Sequence, residues 1–122
     1  MLFRSKFFRS GFVTAKPPSC MASLGLENNE IPDSSITASS EHTHYPASQG
    51  RLYQQGHWLA YTYGAEQWFQ VDFVNWTKVT GVAIQGNGNN RWVRKFKLAY
   101  SYDEVFFSDC REDGDNYTKV LF

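Results

Sequence analysis

Regular alternation of apolar and polar side chains constrains the fold of this chain more than any other feature. It runs through residues 68–73 and recurs along residues 78–85 and 96–102. A period of two predicts half-buried strands, because successive side chains of a strand point to opposite faces. Shorter candidate strands are residues 35–39, 105–107 and 119–122. Turn-forming residues separate these segments at short intervals, which favours an all-β sandwich or barrel.

The alternation also predicts which side chains face the core. In the first segment Phe69, Val71 and Phe73 share one face, opposite the polar side chains of Gln70 and Asp72. In the third segment the same reasoning places four larger side chains inward, namely Phe96, Leu98, Tyr100 and Tyr102. Trp58, Trp68 and Trp92 are also expected mainly in the core, where large aromatic rings contribute most. Asp72 is expected to order a neighbouring backbone group or Arg51.

Composition excludes some classes of protein. Aromatic residues make up 17% of the chain, so a packed core is expected rather than disorder. Twelve basic and twelve acidic residues give a formal net charge of zero, which argues against a nucleic-acid partner.

The first 19 residues differ from the rest of the chain. They contain basic residues and no acidic one, and Pro17 and Pro18 form a stiff, non-helical hinge. Basic side chains interrupt each apolar stretch, so the segment does not fit a secretory signal. We therefore expect residues 1–19 to be a disordered stub and residues 20–122 to form the domain.

Two cysteines and two glycosylation sequons bear on the cellular compartment. The sequons begin at Asn75 and Asn116 and together favour secretion. Cys20 and Cys110 are compatible with two free buried thiols or with a bridge, which would need Cα atoms within ~7 Å.

Six motifs, in order and at compatible spacing, resemble one known family. They are LGLE (24–27), IPDSSITASS (31–40), GRL (50–52), QVDF (70–73), VTGVAIQG (79–86) and FKLAYS (96–101). With Cys20 before them, they resemble the opening and middle of discoidin domains, also called coagulation factor five/eight type C domains. The resemblance implies an antiparallel jelly-roll barrel of the galactose-binding-like type, with ligand-binding loops at one end. It also implies that this chain lacks the last strands and the cysteine that usually pairs with Cys20.

The resemblance assigns ligand binding to three loops, around residues 42–46, 55–57 and 87–91. Their side chains can form hydrogen bonds or stack on a ligand. The candidate binding residues are His42, Thr43, His44, Tyr45, Gln55, His57, Asn87, Asn89, Asn90 and Arg91. A basic cluster adjoins the third loop and consists of Arg91, Arg94, Lys95 and Lys97.

Other chemistries have weaker support in the sequence. A zinc site built from His42, His44 and His57 would need three or four donors held in place, and the spacing does not provide this. No ordered triad motif accompanies the serines and histidines, and no positioned base accompanies Cys110, so we expect no catalysis. The acidic run at residues 109–115 could hold a structural Ca²⁺, but a solvated loop is favoured. No other cofactor is expected.

The sequence therefore predicts a non-catalytic extracellular module for recognition and cell adhesion, located outside the cell or at its surface. Its expected partners are glycans, or glycoproteins of the cell surface or matrix. Peripheral binding to anionic phospholipid is the alternative, and the first loop counts against it because it lacks exposed Trp, Phe or Leu. Two other roles stay open, an accessory module of a larger enzyme and a structural spacer.

Overall fold

A computed structural model of the protein describes residues 2–5, 23–64, 66–79, 81–89 and 91–110. Its strands are β1 (Leu2–Ser5), β2 (Ile36–Ala38), β3 (Trp68–Val71), β4 (Lys97–Tyr100) and β5 (Ser108–Asp109). Single 3-10 turns span Asp33–Ser35 and Ala47–Gln49. No helix within these ranges is both long and apolar enough to cross a membrane.

The five strands form one sheet in the order β2-β3-β1-β4-β5. The outer pairs, β2 with β3 and β4 with β5, are antiparallel. The central strand β1 runs parallel to both β3 and β4. The all-β class agrees with this architecture. The antiparallel jelly-roll barrel is not confirmed, because the described strands form one mixed sheet and a jelly roll needs two antiparallel sheets face to face.

The position of β1 differs from the sequence-based expectation. Residues 1–19 are predicted to be a disordered stub, whereas Leu2–Ser5 pairs with Trp68–Val71 on one side and Lys97–Tyr100 on the other. The structure therefore differs from this expectation at these four residues. Paired backbone groups, rather than the local composition, order this segment. Residues 6–19, like Cys20, lie outside the described ranges.

The main core lies between β2, β3 and the segment before them. Phe69 and Val71 are buried on β3, and Phe73 is half-buried beside them, which confirms the alternation predicted for this segment. They pack with Ile36 on β2 and with Ile31 before the first 3-10 turn. Burial of these branched and aromatic side chains supplies the main driving force for folding.

The predicted inward face is confirmed only at its start: Phe96, just before β4, is 3% exposed, but from Ala99 onward the buried side chains lie on the opposite face. Ala99 and Ser101 are buried, whereas Tyr100 is half-buried and Tyr102 is exposed. The reason is the turn that follows: the Ser101 hydroxyl accepts hydrogen bonds from the backbone N–H groups of Asp103 (3.2 Å) and Glu104 (2.8 Å). A small hydroxyl side chain therefore occupies the inner position, where the turn folds back.

Two further strand predictions differ from the structure. Residues 81–85 contain no strand, and Ile84 is exposed. Alternation gives a strand only where a neighbouring backbone completes the ladder, and no such pairing occurs along these residues. In the 105–107 segment the strand begins later, at Ser108, and Val105 and Phe106 are exposed. Residues 119–122 lie outside the described part of the chain.

The turn after β4 contains a strained residue that can be tested. Glu104 has a positive φ of 64°, a conformation that glycine adopts at much lower cost than other residues. We expect Glu104→Gly to raise the free energy of unfolding by about 1 kcal/mol relative to Glu104→Ala, because both lose the side chain but only glycine relieves the strain. Urea denaturation of the two variants measures this difference. Equal stability of the two would contradict the prediction.

Candidate recognition site

Strand direction places the three predicted loops at one end of the sheet. Strands β3 and β4 both run parallel to β1, so they begin at the same end. Strand β2 is antiparallel to β3, so the chain leaves β2 at that end too. Residues 39–67 and 85–96 therefore emerge there, and we call this the loop end.

The first loop is fixed at its base by backbone hydrogen bonds. The N–H of His42 donates to the carbonyl of Leu59 (2.8 Å), and the N–H of Leu59 donates to that of Tyr45 (3.1 Å). The N–H of Tyr45 donates to the carbonyl of His42 (2.8 Å) and closes the turn. A carboxylate oxygen of Glu41 accepts a hydrogen bond from the N–H of Ala47 (2.7 Å) and secures the chain beyond the loop.

An aromatic stack joins the first loop to the second. The rings of Tyr45 and His57 are stacked, with centroids 4.2 Å apart and an interplanar angle of 26°. His42 lies 5.4 Å from Tyr45, and His44 lies 6.5 Å from Tyr45 between ring centroids. The Nδ1 atom of His42 accepts a hydrogen bond from the N–H of His44 (3.2 Å), which restrains the orientation of the His42 ring.

The third loop joins the same cluster. The side-chain nitrogen of Asn87 lies 3.4 Å from Nε2 of His57. The N–H of Asn87 donates to the carbonyl of Arg91 (3.2 Å), and its side-chain oxygen accepts the N–H of Asn89 (2.9 Å). Gly88, with a φ of 77°, supplies the left-handed turn that this loop requires. All three predicted loops therefore meet at the loop end.

Burial divides the candidate binding residues into two groups. His42, Tyr45, His57 and Asn87 are half-buried, and they hold the loops together. The side chains of the other candidate residues are exposed and are not packed between the loops, namely Thr43, His44, Gln55, Asn89 and Arg91. Asn90 lies outside the described residues. Ligand binding by these side chains stays a prediction.

The structure exposes one large ring that the sequence assigns to the core. Trp92 is 63% exposed, so its predicted burial is wrong, whereas Trp58 and Trp68 are half-buried. Trp92 precedes β4 and has no ladder position. A Cβ atom on Gly86 would lie 3.2 Å from the Cβ of Trp92, so this residue lies beside the third loop. Tyr53, which the sequence did not single out, is also exposed and binds the side chain of Gln85 through its N–H (2.9 Å).

Metal ligation finds no support within the described ranges. They contain no group of three or more His, Cys, Asp or Glu side chains placed to hold an ion. The three histidines that suggested zinc make ring contacts and hydrogen bonds instead. Most of the acidic run at residues 109–115 lies outside these ranges, so a structural Ca²⁺ there stays a prediction.

Buried Arg51 connects the segment between the first and second loops to residues 26–33. Its guanidinium donates to the carbonyl oxygens of Ser48, Leu26 and Ile31 at 2.8–2.9 Å, and it forms an ion pair with Asp33 at 2.6 Å. The sequence predicts that Asp72 orders either a neighbouring backbone group or Arg51, and the structure shows it bound to a neighbouring backbone group. One of its carboxylate oxygens accepts the N–H of Val74 at 2.8 Å.

Cys110 has a free, half-buried thiol, so the bridge with Cys20 left open by the sequence is not formed. Burial, and then the charge of Asp109, raise the pKa of this thiol above its ordinary value of 9.0. A raised pKa favours the neutral thiol. The neutral Cys110 thiol therefore contributes to the stability of the fold below the pKa that the thiol has in the unfolded chain. This contribution is lost as the pH rises through the pKa of the thiol in the folded chain.

We expect Cys110 in a Cys20→Ser variant to react with a disulfide reagent at pH 8 more slowly than in urea, because the thiolate is the nucleophile. Asp109→Asn should speed the reaction in the folded state by removing the second cause. Absorbance kinetics between pH 7 and 10 test both effects. Equal rates for folded and unfolded chains would contradict the prediction.

Comparison with known proteins agrees with this architecture of loops on a β scaffold. Residues 35–121 match the F5/8 type C domain family. Lactadherin from Rattus norvegicus is 40% identical over an alignment of 109 positions that covers 78% of this chain and 25% of that protein. Coagulation factor VIII from Sus scrofa is 36% identical over an alignment of 110 positions that covers 84% of this chain and 5% of that protein. No solved structure gives a significant match.

The chain therefore belongs to the F5/8 type C domain family, the discoidin domains, as its motifs predicted. It spans about a quarter of the length of lactadherin and about a twentieth of factor VIII.

Proposed function

We propose that this chain is a non-catalytic recognition module that attaches to anionic phospholipid at the outer cell surface through its loop end. The observation that carries the proposal is the exposed ring of Trp92, beside the third loop and between Arg91 and Arg94 in sequence. Amphipathic rings favour the headgroup region of a bilayer, and cations favour its anionic lipids.

The structure adds an observation in favour of this function that the first loop does not provide. The sequence counted against lipid binding because the first loop lacks exposed large apolar side chains. Trp92 and Tyr53 are exposed at the loop end, although neither belongs to the first loop. The exposed cations Arg91, Arg94 and Lys95 adjoin Trp92 in sequence. Each cation near an anionic surface contributes about 1 kcal/mol. Family membership supports the proposal, since the resemblance implies phospholipid, glycan or protein ligands.

Glycan recognition is the second candidate, favoured by a different observation. The stacked rings of Tyr45 and His57 lie beside exposed hydrogen-bonding groups on Thr43, His44 and Asn89. An aromatic face next to hydroxyl and amide groups suits a sugar ring. In this function the first and second loops bind the ligand, whereas Trp92 contributes little.

Vesicle sedimentation distinguishes the two functions. We expect the chain to bind vesicles of phosphatidylserine and phosphatidylcholine, not vesicles of phosphatidylcholine alone, and to dissociate as salt is raised. Trp92→Ala and Arg91→Ala should each weaken binding by about fivefold. The matched control is Trp76→Ala at the other end of the sheet, because Trp76 and Trp92 are both 63% exposed.

Equal loss in the two tryptophan variants, or binding that ignores phosphatidylserine, would contradict phospholipid recognition at the loop end. A glycan array forms the second arm of the experiment. Binding to defined glycans that His44→Ala abolishes and Trp92→Ala leaves intact would support the second candidate instead.

A further inference from the structure

The end of the sheet opposite the loops exposes a group of apolar side chains. Strands β3 and β4 both end there, and the chain continues into residues 72–77 and 101–106. The rings of Trp76 and Tyr102 meet across this end, with centroids 5.4 Å apart. Val74 lines the same cavity as these rings, and Val105 and Phe106, in the turn after Tyr102, are exposed as well. We call these five residues the aromatic patch. Soluble proteins rarely leave such a group uncovered.

Asn75 lies within this patch and begins a glycosylation sequon with Trp76 and Thr77. It lines one open cavity of about 230 Å³ together with Val74, Trp76 and Tyr102. Asn75 is exposed, and its side-chain amide makes no hydrogen bond with the described residues. Its nitrogen is therefore available for substitution, and the two rings lie at the same cavity.

The local backbone holds Asn75 at the surface. Val74 adopts a positive φ of 63°, which turns the chain sharply just beyond β3. Asp72 accepts the N–H of Val74 (2.8 Å), and the N–H of Asn75 donates to the carbonyl of Phe73 (2.6 Å). The hydroxyl of Thr77 donates to the carbonyl of Asn75 (3.0 Å).

The turn at residues 101–106, which contributes Tyr102 to the cavity, is also held by hydrogen bonds. The carboxylate of Asp103 accepts the N–H groups of Val105 and Phe106, both at 2.9 Å. These two hydrogen bonds, Phe106 first, hold the pKa of Asp103 below its ordinary value of 3.8. Fixed turns on both sides of the cavity give an attached ligand a preformed surface.

We propose that Asn75 carries an N-linked glycan whose first sugars pack on Trp76 and Tyr102 and cover the aromatic patch. The donor class is an oligosaccharide linked to a lipid diphosphate. The bond from the sugar C1 to the diphosphate oxygen breaks, a C1–Nδ2 bond forms at Asn75, one amide proton is released, and the lipid diphosphate leaves. This proposal and the proposed function both require the chain to enter the secretory pathway, and they share no other premise.

The test expresses the chain behind a secretion signal in mammalian cells. Peptide mass spectrometry before and after peptide-N-glycosidase treatment should show a glycan on Asn75 that Asn75→Gln removes. Asn116→Gln is the matched control, since it alters the other sequon and should leave the Asn75 glycan in place. An unmodified Asn75 in the secreted chain would overturn the proposal.

A second readout tests the packing of the glycan. Enzymatic deglycosylation should raise the fluorescence of a hydrophobic dye by about twofold, because the patch becomes accessible. In Trp76→Ala, which keeps the sequon, deglycosylation should change the signal much less. An equal rise in Trp76→Ala and the parent would overturn the packing of sugars on this ring.

The two proposals fail independently. Binding to phosphatidylserine vesicles uses the loop end, so Asn75→Gln should bind vesicles like the parent. Loss of vesicle binding with a glycosylated Asn75 would refute only the proposed function. Vesicle binding by a chain unmodified at Asn75 would refute only the glycan.

Discussion

Phe69→Ala should lower the free energy of unfolding by about 4 kcal/mol, the range seen when a buried phenylalanine is truncated. Phe69 is 3% exposed at the centre of the main core. Its ring lies 5.4 Å from that of Trp58, between centroids. It also fills the space beside Gly50, since a Cβ there would lie 2.7 Å from Cε2 of Phe69. Truncation removes apolar burial and leaves a cavity that this close backbone cannot refill.

Urea denaturation followed by tryptophan fluorescence measures the effect of Phe69→Ala. The matched control is Phe106→Ala, which deletes the same atoms from a ring that is 78% exposed and should change stability by less than about 0.5 kcal/mol. The Phe69 variant should also shift the emission of Trp58, whose ring nitrogen donates to the carbonyl of Ser40 (3.0 Å) at the base of the first loop. Similar losses from both truncations would contradict the core assignment.

Arg51→Met should lower the free energy of unfolding by about 3 kcal/mol. The Arg51 side chain is 4% exposed, and it satisfies three backbone carbonyl groups, of which that of Ile31 belongs to a buried residue. Methionine keeps most of the apolar volume but donates no hydrogen bond, so these carbonyls lose their partner. Arg51→Lys should recover less than half of the loss, because one ammonium group cannot reproduce the guanidinium fork.

The control for Arg51 is its own ion-pair partner. The Asp33 side chain is 74% exposed, so Asp33→Asn should cost less than about 1 kcal/mol. Stability is measured by urea denaturation at fixed ionic strength for all three variants. If Asp33→Asn destabilised the chain as much as Arg51→Met, the ion pair rather than the carbonyl contacts would explain the effect.

Local patterns were sufficient for part of the fold. The alternation at Phe69 and Val71 identified β3 and its buried face, because here β1 and β2 complete the ladder and the core covers the face that the alternation marks. The meeting of the three loops was predicted only through the family resemblance. No local pattern places Tyr45 against His57 or His57 against Asn87, contacts that depend on the direction of β2, β3 and β4.

The wrong predictions share a physical cause. Trp92 is exposed, the 81–85 segment contains no strand, and Ser101 rather than Tyr102 faces inward. Each outcome depends on whether a distant backbone lies alongside, and a periodicity of two does not reveal that neighbour. The parallel insertion of Leu2–Ser5 depends on the same kind of long-range pairing.

The central position of β1 has a consequence for how the sheet assembles. Leu2 is paired with both Trp68 and Lys97, so the sheet cannot be completed until distant parts of the chain have been synthesised and brought together. Bringing such segments together requires closing long loops, whose entropic cost precedes any gain from contact. We therefore expect folding to be slow, with the pairing of β1 to β3 and β4 among its last steps.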